Sequence, residues 1–169
     1  LVFYVTGDHR YLHSFPTRLS SDVDALAKWY EFRPYLQKTP DNLGLQLKVQ
    51  NARLAVDIFA KHGDQAIRDN KAQVVTDALV NVIDANIAVA GMANSVRGEI
   101  PTPGVAHAIH NRLTEEPALR HWLHGERVGF SLLVQSILEN DNSQPDPVLL
   151  ALLRQYEMPL TLAPLKEIR

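Results

Sequence analysis

Residues 71–91, KAQVVTDALVNVIDANIAVAG, decide the fold class. Val75, Ala78, Leu79, Val82, Ile83, Ala85 and Val89 recur at helical spacing and cover most of the circumference. A helix apolar on nearly every side belongs inside a bundle, so this one is expected at the centre of the domain. The flanks repeat the helical pattern. Upstream, a helix is expected from the Thr39-Pro40-Asp41 cap to His62-Gly63, with a stripe of Leu47, Leu54, Ala55, Ile58 and Phe59. Before it, Ser20, Ser21 and Asp22 offer side-chain oxygens for the start of VDALAKWYEF (23–32), and Pro34 should stop or bend that helix. Downstream, GMANSVRGEIPTPG (91–104) reads as a loop, being rich in glycine and proline. A short helix follows from Val105 to about Leu113. GERVGFSLLVQSILEN (125–140) turns Val128, Leu132, Leu133, Ile137 and Leu138 to one face. The turn NSQPDP opens a last helix, VLLALLRQYE (148–157), closed by Met158-Pro159. The expected fold is all-α, a helical bundle.

Composition narrows the function. Apolar residues make up 46 % and charged residues 21 % of the 169, a globular balance that can bury a core. The net charge of −2, with Lys and Arg scattered, argues against nucleic acid as a partner. No apolar run approaches the roughly 20 residues needed to span a bilayer, so no membrane segment is expected. Cysteine is absent, which removes disulfides, thiolate metal sites and Cys nucleophiles. A cytoplasmic enzyme fits these features. Residues 1–22 stand apart: HSFPTRLSSD (13–22) resembles a translated frame of a short-read sequencing adapter, so this segment is expected to be non-native. The alternative is a native strand and turn in LVFYVTGD (1–8). The helical domain is taken as 23–169, with an apolar pattern broken off at its C-terminal end.

Four of the seven histidines fall between 107 and 124: His107, His110, His121 and His124. His107 and His110 are three apart on a helix and share a face, and His121 and His124 repeat that spacing. Imidazole is the commonest protein metal ligand, but the same spacing also arises among surface or hydrogen-bonded structural histidines. Val105, Ala106, Ala108 and Ile109 should hold His107 against the core, where its nitrogens must find partners. Asp24, in VDALA, is either a third ligand or a helix-start carboxylate.

Three stretches resemble one family, the glycerol dehydrogenase branch of the iron-containing alcohol dehydrogenases. DALAKWYE (24–31) is similar to the start of its helical domain, and HAIHN (107–111) and HGERVGF (124–130) to its two histidine signatures. The 17-residue separation of His107 and His124 agrees with the family pattern, and the likeness runs from about Val23 to Leu165. The AKWYE wording points to the hydroxycarboxylate dehydrogenase-like members.

The resemblance implies the C-terminal metal-binding domain of that fold, with a divalent zinc or iron held by Asp24, His107 and His124. It implies that His110 contacts substrate or relays protons, and gives His121 no role. Lys28 stands where four-ligand members carry a further histidine, so three ligands are expected. The implied activity is NAD- or NADP-dependent oxidation of the CH–OH group of a polyol or 2-hydroxy acid, in a homo-oligomer. Two departures stand out: Val23 replaces a usual glycine, and no glycine-rich phosphate-binding loop occurs, so the cofactor-binding α/β domain is absent from these residues. Negligible turnover by this chain alone is therefore expected. The competing expectation is a non-catalytic helical fragment or interaction module with structural histidines.

Overall fold

The computed structural model describes residues 15–96, 98, 100–141 and 143–163, with the backbone alone for 15–22 and 90. Among the described residues seven α-helices follow one another: α1 (Phe15–Lys38), α2 (Leu43–Ala72), α3 (Asp77–Asp84), α4 (Ala90–Ser95), α5 (Val105–Thr114), α6 (His124–Glu139) and α7 (Pro147–Gln155). A π-helical turn, Ala85–Val89, joins α3 to α4, and a 3-10 turn, Pro117–Leu119, precedes α6. Among the described residues there is no strand. The reading of residues 1–8 as strand and turn lies outside them.

The centre is α1 against α6, closed by α2 and α7. Val23, Leu26 and Ala27 of α1 meet Val128 and Leu132 of α6, Phe59 of α2, and Leu149 and Leu153 of α7 in one buried cluster. Each large apolar side chain buried there contributes about 1.5–3 kcal/mol. α1 begins at Phe15, before the Ser20–Asp22 start expected for it, and it runs through Pro34 to Lys38. A proline inside a helix leaves the carbonyl four residues earlier without its N–H partner. That carbonyl belongs to Tyr30, and Gln135 of α6 donates to it through Nε2 at 3.1 Å. The defect is repaired by a neighbouring helix, so the helix does not stop.

α2 departs further from expectation. Its N-cap is Asn42, whose Oδ1 accepts from Leu45 N at 2.9 Å. The helix passes His62-Gly63 and ends at Ala72. Gly63 is there for close packing rather than for a stop: a Cβ would lie 2.6 Å from Tyr156 Oη and 2.8 Å from Gln155 Nε2. Leu47 and Leu54, read as part of the apolar stripe, are exposed, while Leu45, Val49, Ala52 and Val56 turn inward with Ala55 and Phe59. Leu138 at the end of α6 is likewise exposed.

The helix expected at the centre lies at the margin. It starts at Asp77, after Thr76 caps it through Leu79 N, and continues through the π turn into α4 as far as Ser95. GMANS (91–95) is thus helix rather than loop. Leu79, Val82, Ala85 and Val89 are buried, but Val75 and Ile87 are 78 % and 72 % exposed. Apolar composition all round does not bring burial all round, since only one face packs. Helices α5, α6 and α7 keep the bounds expected of them within a residue or two, α7 with Pro147 in its first turn and the Asp146 side chain accepting from Val148 N and Leu149 N.

Candidate metal centre

The site forms where α1, the N-terminal half of α5 and the start of α6 meet. On α1, Asp24, Lys28 and Glu31 are spaced i, i+4 and i+7, so they share one face. α5 sets His107 and His110 one turn apart, and His124 is the first residue of α6. Glu126 helps to seat that start, its Oε2 accepting from Leu123 N at 2.6 Å.

Asp24, His107 and His124 converge. His107 Nε2 lies 3.0 Å and His124 Nε2 3.5 Å from Asp24 Oδ1, and one ligand atom from each of the three falls within 4.8 Å of the others. A four-coordinate metal with N and O ligands at about 2.0–2.2 Å sets those atoms roughly 3.3 Å apart, so two imidazoles and a carboxylate at this spacing fit a zinc or iron ion. Lys28 Nζ is 3.7 Å from Asp24 Oδ2, beside the cluster rather than within it.

His110 closes the group. Its ring centroid is 4.5 Å from that of His124, edge to face, and 6.3 Å from that of His107. It is only 8 % exposed; Nδ1 meets the Asn111 side chain at 3.2 Å, and Nε2 is buried with no hydrogen-bond partner. Burial first, then the positive charges around it, hold its pKa below the ordinary value, against the Asn111 hydrogen bond. His121 is exposed and is not among the three side chains that converge.

The apolar frame expected around His107 is not what holds it. Val105 and Ala108 are exposed, and carboxylates satisfy the ring on both sides. Nδ1 lies 3.0 Å from Glu31 Oε1 and 2.8 Å from Glu31 Oε2, opposite the Asp24 contact at Nε2. The Asp24 hydrogen bond, then that of Glu31, pushes His107 up to about 9 against the effect of burial. Burial would raise Asp24, but hydrogen bonds from His107 and His124 and the Lys28 charge outweigh it and bring the carboxyl down to about 2.

Glu31 is the residue that sequence reasoning passed over. It is 4 % exposed, and its Oε1 also accepts from the His107 backbone N–H at 3.0 Å. The available signal was its place seven residues after Asp24, on the same face of α1.

No protein-family model matches the chain. It is 36 % identical over 148 residues to hydroxycarboxylate dehydrogenase A of Escherichia coli, covering 85 % of this chain and 40 % of that protein. It is 34 % identical over 146 residues to glycerol dehydrogenase of Pseudomonas putida, covering 84 % and 39 %. The chain thus spans about two fifths of the length of these relatives. Among solved structures, a probable glycerol dehydrogenase from Sinorhizobium meliloti superimposes with a TM-score of 0.74 at 26 % identity, over 90 % of this chain and 43 % of that one. Glycerol dehydrogenase from Schizosaccharomyces pombe gives 0.69 at 27 %, over 86 % and 38 %. The shared part is the C-terminal helical region of those structures.

Proposed function

Because the chain belongs to the family of the glycerol and hydroxycarboxylate dehydrogenases, we propose that it supplies the metal-holding helical domain of a cytoplasmic, NAD- or NADP-dependent oxidoreductase. The substrate class is a polyol or 2-hydroxy acid, the working form a homo-oligomer, and the nicotinamide cofactor binds to a separate domain. The observation that carries the reading is the convergence of Asp24, His107 and His124 within 4.8 Å, beside a buried histidine nitrogen without a partner.

In this reading Asp24, His107 and His124 hold a divalent zinc or iron ion, which when bound supplies Lewis-acid polarisation of a substrate oxygen. The nicotinamide supplies the hydride acceptor. Asp24 stays ionised throughout the physiological range, since its pKa is about 2. His110 Nε2 is the atom at which the proton of a substrate hydroxyl is taken up and passed on, being buried, unpartnered and adjacent to His124. Its neutral form is favoured by burial, which suits a proton acceptor. Three protein side chains would hold the ion and leave it able to act on a substrate, and a hydroxyl beside a second oxygen is the feature that polyols and 2-hydroxy acids share.

One observation favours the competing reading, a non-catalytic bundle with structural histidines: carboxylates satisfy both His107 nitrogens without any ion. Elemental analysis of the purified chain beside the double variant His107→Ala, His124→Ala decides between them. Near-stoichiometric zinc or iron, lost in the variant, is expected. An equal and negligible metal content in both, after incubation with each ion, would sink the metal reading.

A further inference from the structure

The N-terminus of α5 has an unusual cap. Gly104 stands at the cap position and offers no side chain, so the first free N–H groups of the helix need partners from elsewhere. The Ala106 N–H donates to Gln135 Oε1 at 3.0 Å, and the His107 N–H donates to Glu31 Oε1 at 3.0 Å. The Glu31 carboxylate therefore approaches the backbone so closely that a Cβ on Gly104 would fall inside it. A buried carboxylate pressed onto a helix N-terminus is favoured by the exposed N–H groups and the helix dipole. The same carboxylate also faces His107 Nδ1 through both oxygens.

We propose that Glu31 is a positioning residue for the metal centre. It caps α5 and, with the same carboxylate, fixes His107 with its proton on Nδ1, so that Nε2 is turned toward Asp24 and His124. The inference rests on the reading of Asp24, His107 and His124 as metal ligands. Seating the helix and aiming the ligand become one event, because both bonds end on one side chain. Gly104 is the third part of the latch, since only a residue without a side chain lets the carboxylate reach the backbone. Gln135 completes it from the far side, tying the Ala106 N–H to the carbonyl that Pro34 leaves open on α1.

The test compares zinc affinity, by competition with a chromophoric chelator, in the wild-type chain, Glu31→Gln and Gly104→Ala. Glutamine keeps one oxygen for the backbone N–H but puts an NH2 where the second oxygen was. At the nearer of the two positions, that group sets its own N–H against the Nδ1 proton and favours the tautomer protonated at Nε2, which blocks the ligand lone pair. Both variants are expected to lose about 10–100-fold in affinity. Long-range proton–nitrogen spectra of the zinc-loaded wild type should show His107 protonated at Nδ1 and metal-bound at Nε2. Those spectra decide the matter should either variant fail to fold. Zinc on Nδ1, or unchanged affinity in a folded Glu31→Gln chain, overturns the role of Glu31 while leaving the ligand set standing. A wild-type chain that takes up no zinc overturns the ligand set and this inference together.

Discussion

Two aspartates anchor polar clusters in this bundle, a buried one and a half-buried one, and their partners differ in kind. Asp69, near the end of α2, accepts from Gln65 Nε2 at 2.6 Å on one oxygen and from Thr76 Oγ1 at 2.5 Å on the other. Its carbonyl accepts from Val74 N at 2.9 Å, and Thr76 in turn caps α3. All of these partners lie within seven residues of Asp69, and they join the end of one helix to the start of the next. Asp24 instead gathers His107 and His124, which are 83 and 100 residues away, onto a single oxygen. Beside them lies His110 Nε2, buried and without a hydrogen-bond partner. Hydrogen bonding alone does not separate the proposed ligand Asp24 from the structural Asp69, since both clusters have it, and the structural carboxylate is the more buried of the two. The separating features are donors that meet at a point and a capacity left over.

The sharpest way to break that contrast is to remove each carboxylate in turn. Asp24→Ala should weaken zinc binding by at least ~100-fold, about 3 kcal/mol, by loss of a ligand. Asp69→Ala should leave zinc affinity unchanged and lower folding stability by about 2 kcal/mol, because Thr76 and Gln65 lose their acceptor. Chelator competition and denaturant unfolding on both variants check this, and a zinc defect in Asp69→Ala would erase the distinction.

The next effect is pH dependence, confined to one cluster. His107 has its pKa raised to about 9 in the folded metal-free chain, so the stability it adds is fully present below about pH 6.5 and is lost as pH rises through 9. Asp24, lowered to about 2, adds stability that is present above about pH 3.8 and is lost as pH falls through 2. Unfolding of the chelator-treated chain should therefore show a loss of about 1–2 kcal/mol between pH 6.5 and 9.5, absent in His107→Ala. A flat profile in the wild type would contradict the paired-carboxylate account of the ring.

The smallest effect belongs to the Asp69 side. Gln73 ends α2 in the left-handed region, φ 58°, where a side chain is disfavoured. Gln73→Gly should stabilise the chain by about 0.5 kcal/mol without any change in zinc affinity, as read from denaturant midpoints.

The sequence was most legible where a residue's role depended on its neighbours in the chain. The three-residue spacing of His107 and His110, the Asp146-Pro147 start of α7 and the break at PTPG (101–104) before α5 all act locally. It was least legible where a role depended on another helix. Gly63 reads as a stop unless Tyr156 is known to lie on it, and Pro34 reads as a break unless Gln135 is known to repair it. Glu31 carries no signal by itself, because its partners are the backbone and ring of a residue 76 positions on. The stretch 71–91 misled for a related reason, since apolar content cannot say which face is covered. Val75 and Ile87 remain exposed while Leu79 and Val82 do not.

The bond between Gln135 and the Tyr30 carbonyl spans 105 residues, and it has a consequence in time. A chain that grows from its N-terminus makes α1 with the Pro34 gap already in it. α2 can pair with α1 at once and cover part of its apolar face, as a local hairpin of helices does quickly. The open carbonyl, the Glu31 carboxylate and Asp24 must wait in water until α5 and α6 have been made. Closing so long a loop adds little cost beyond a shorter one, but nothing rewards it until both ends exist. The face of α1 that builds the centre is thus among the first parts of the domain to be synthesised and among the last to be finished.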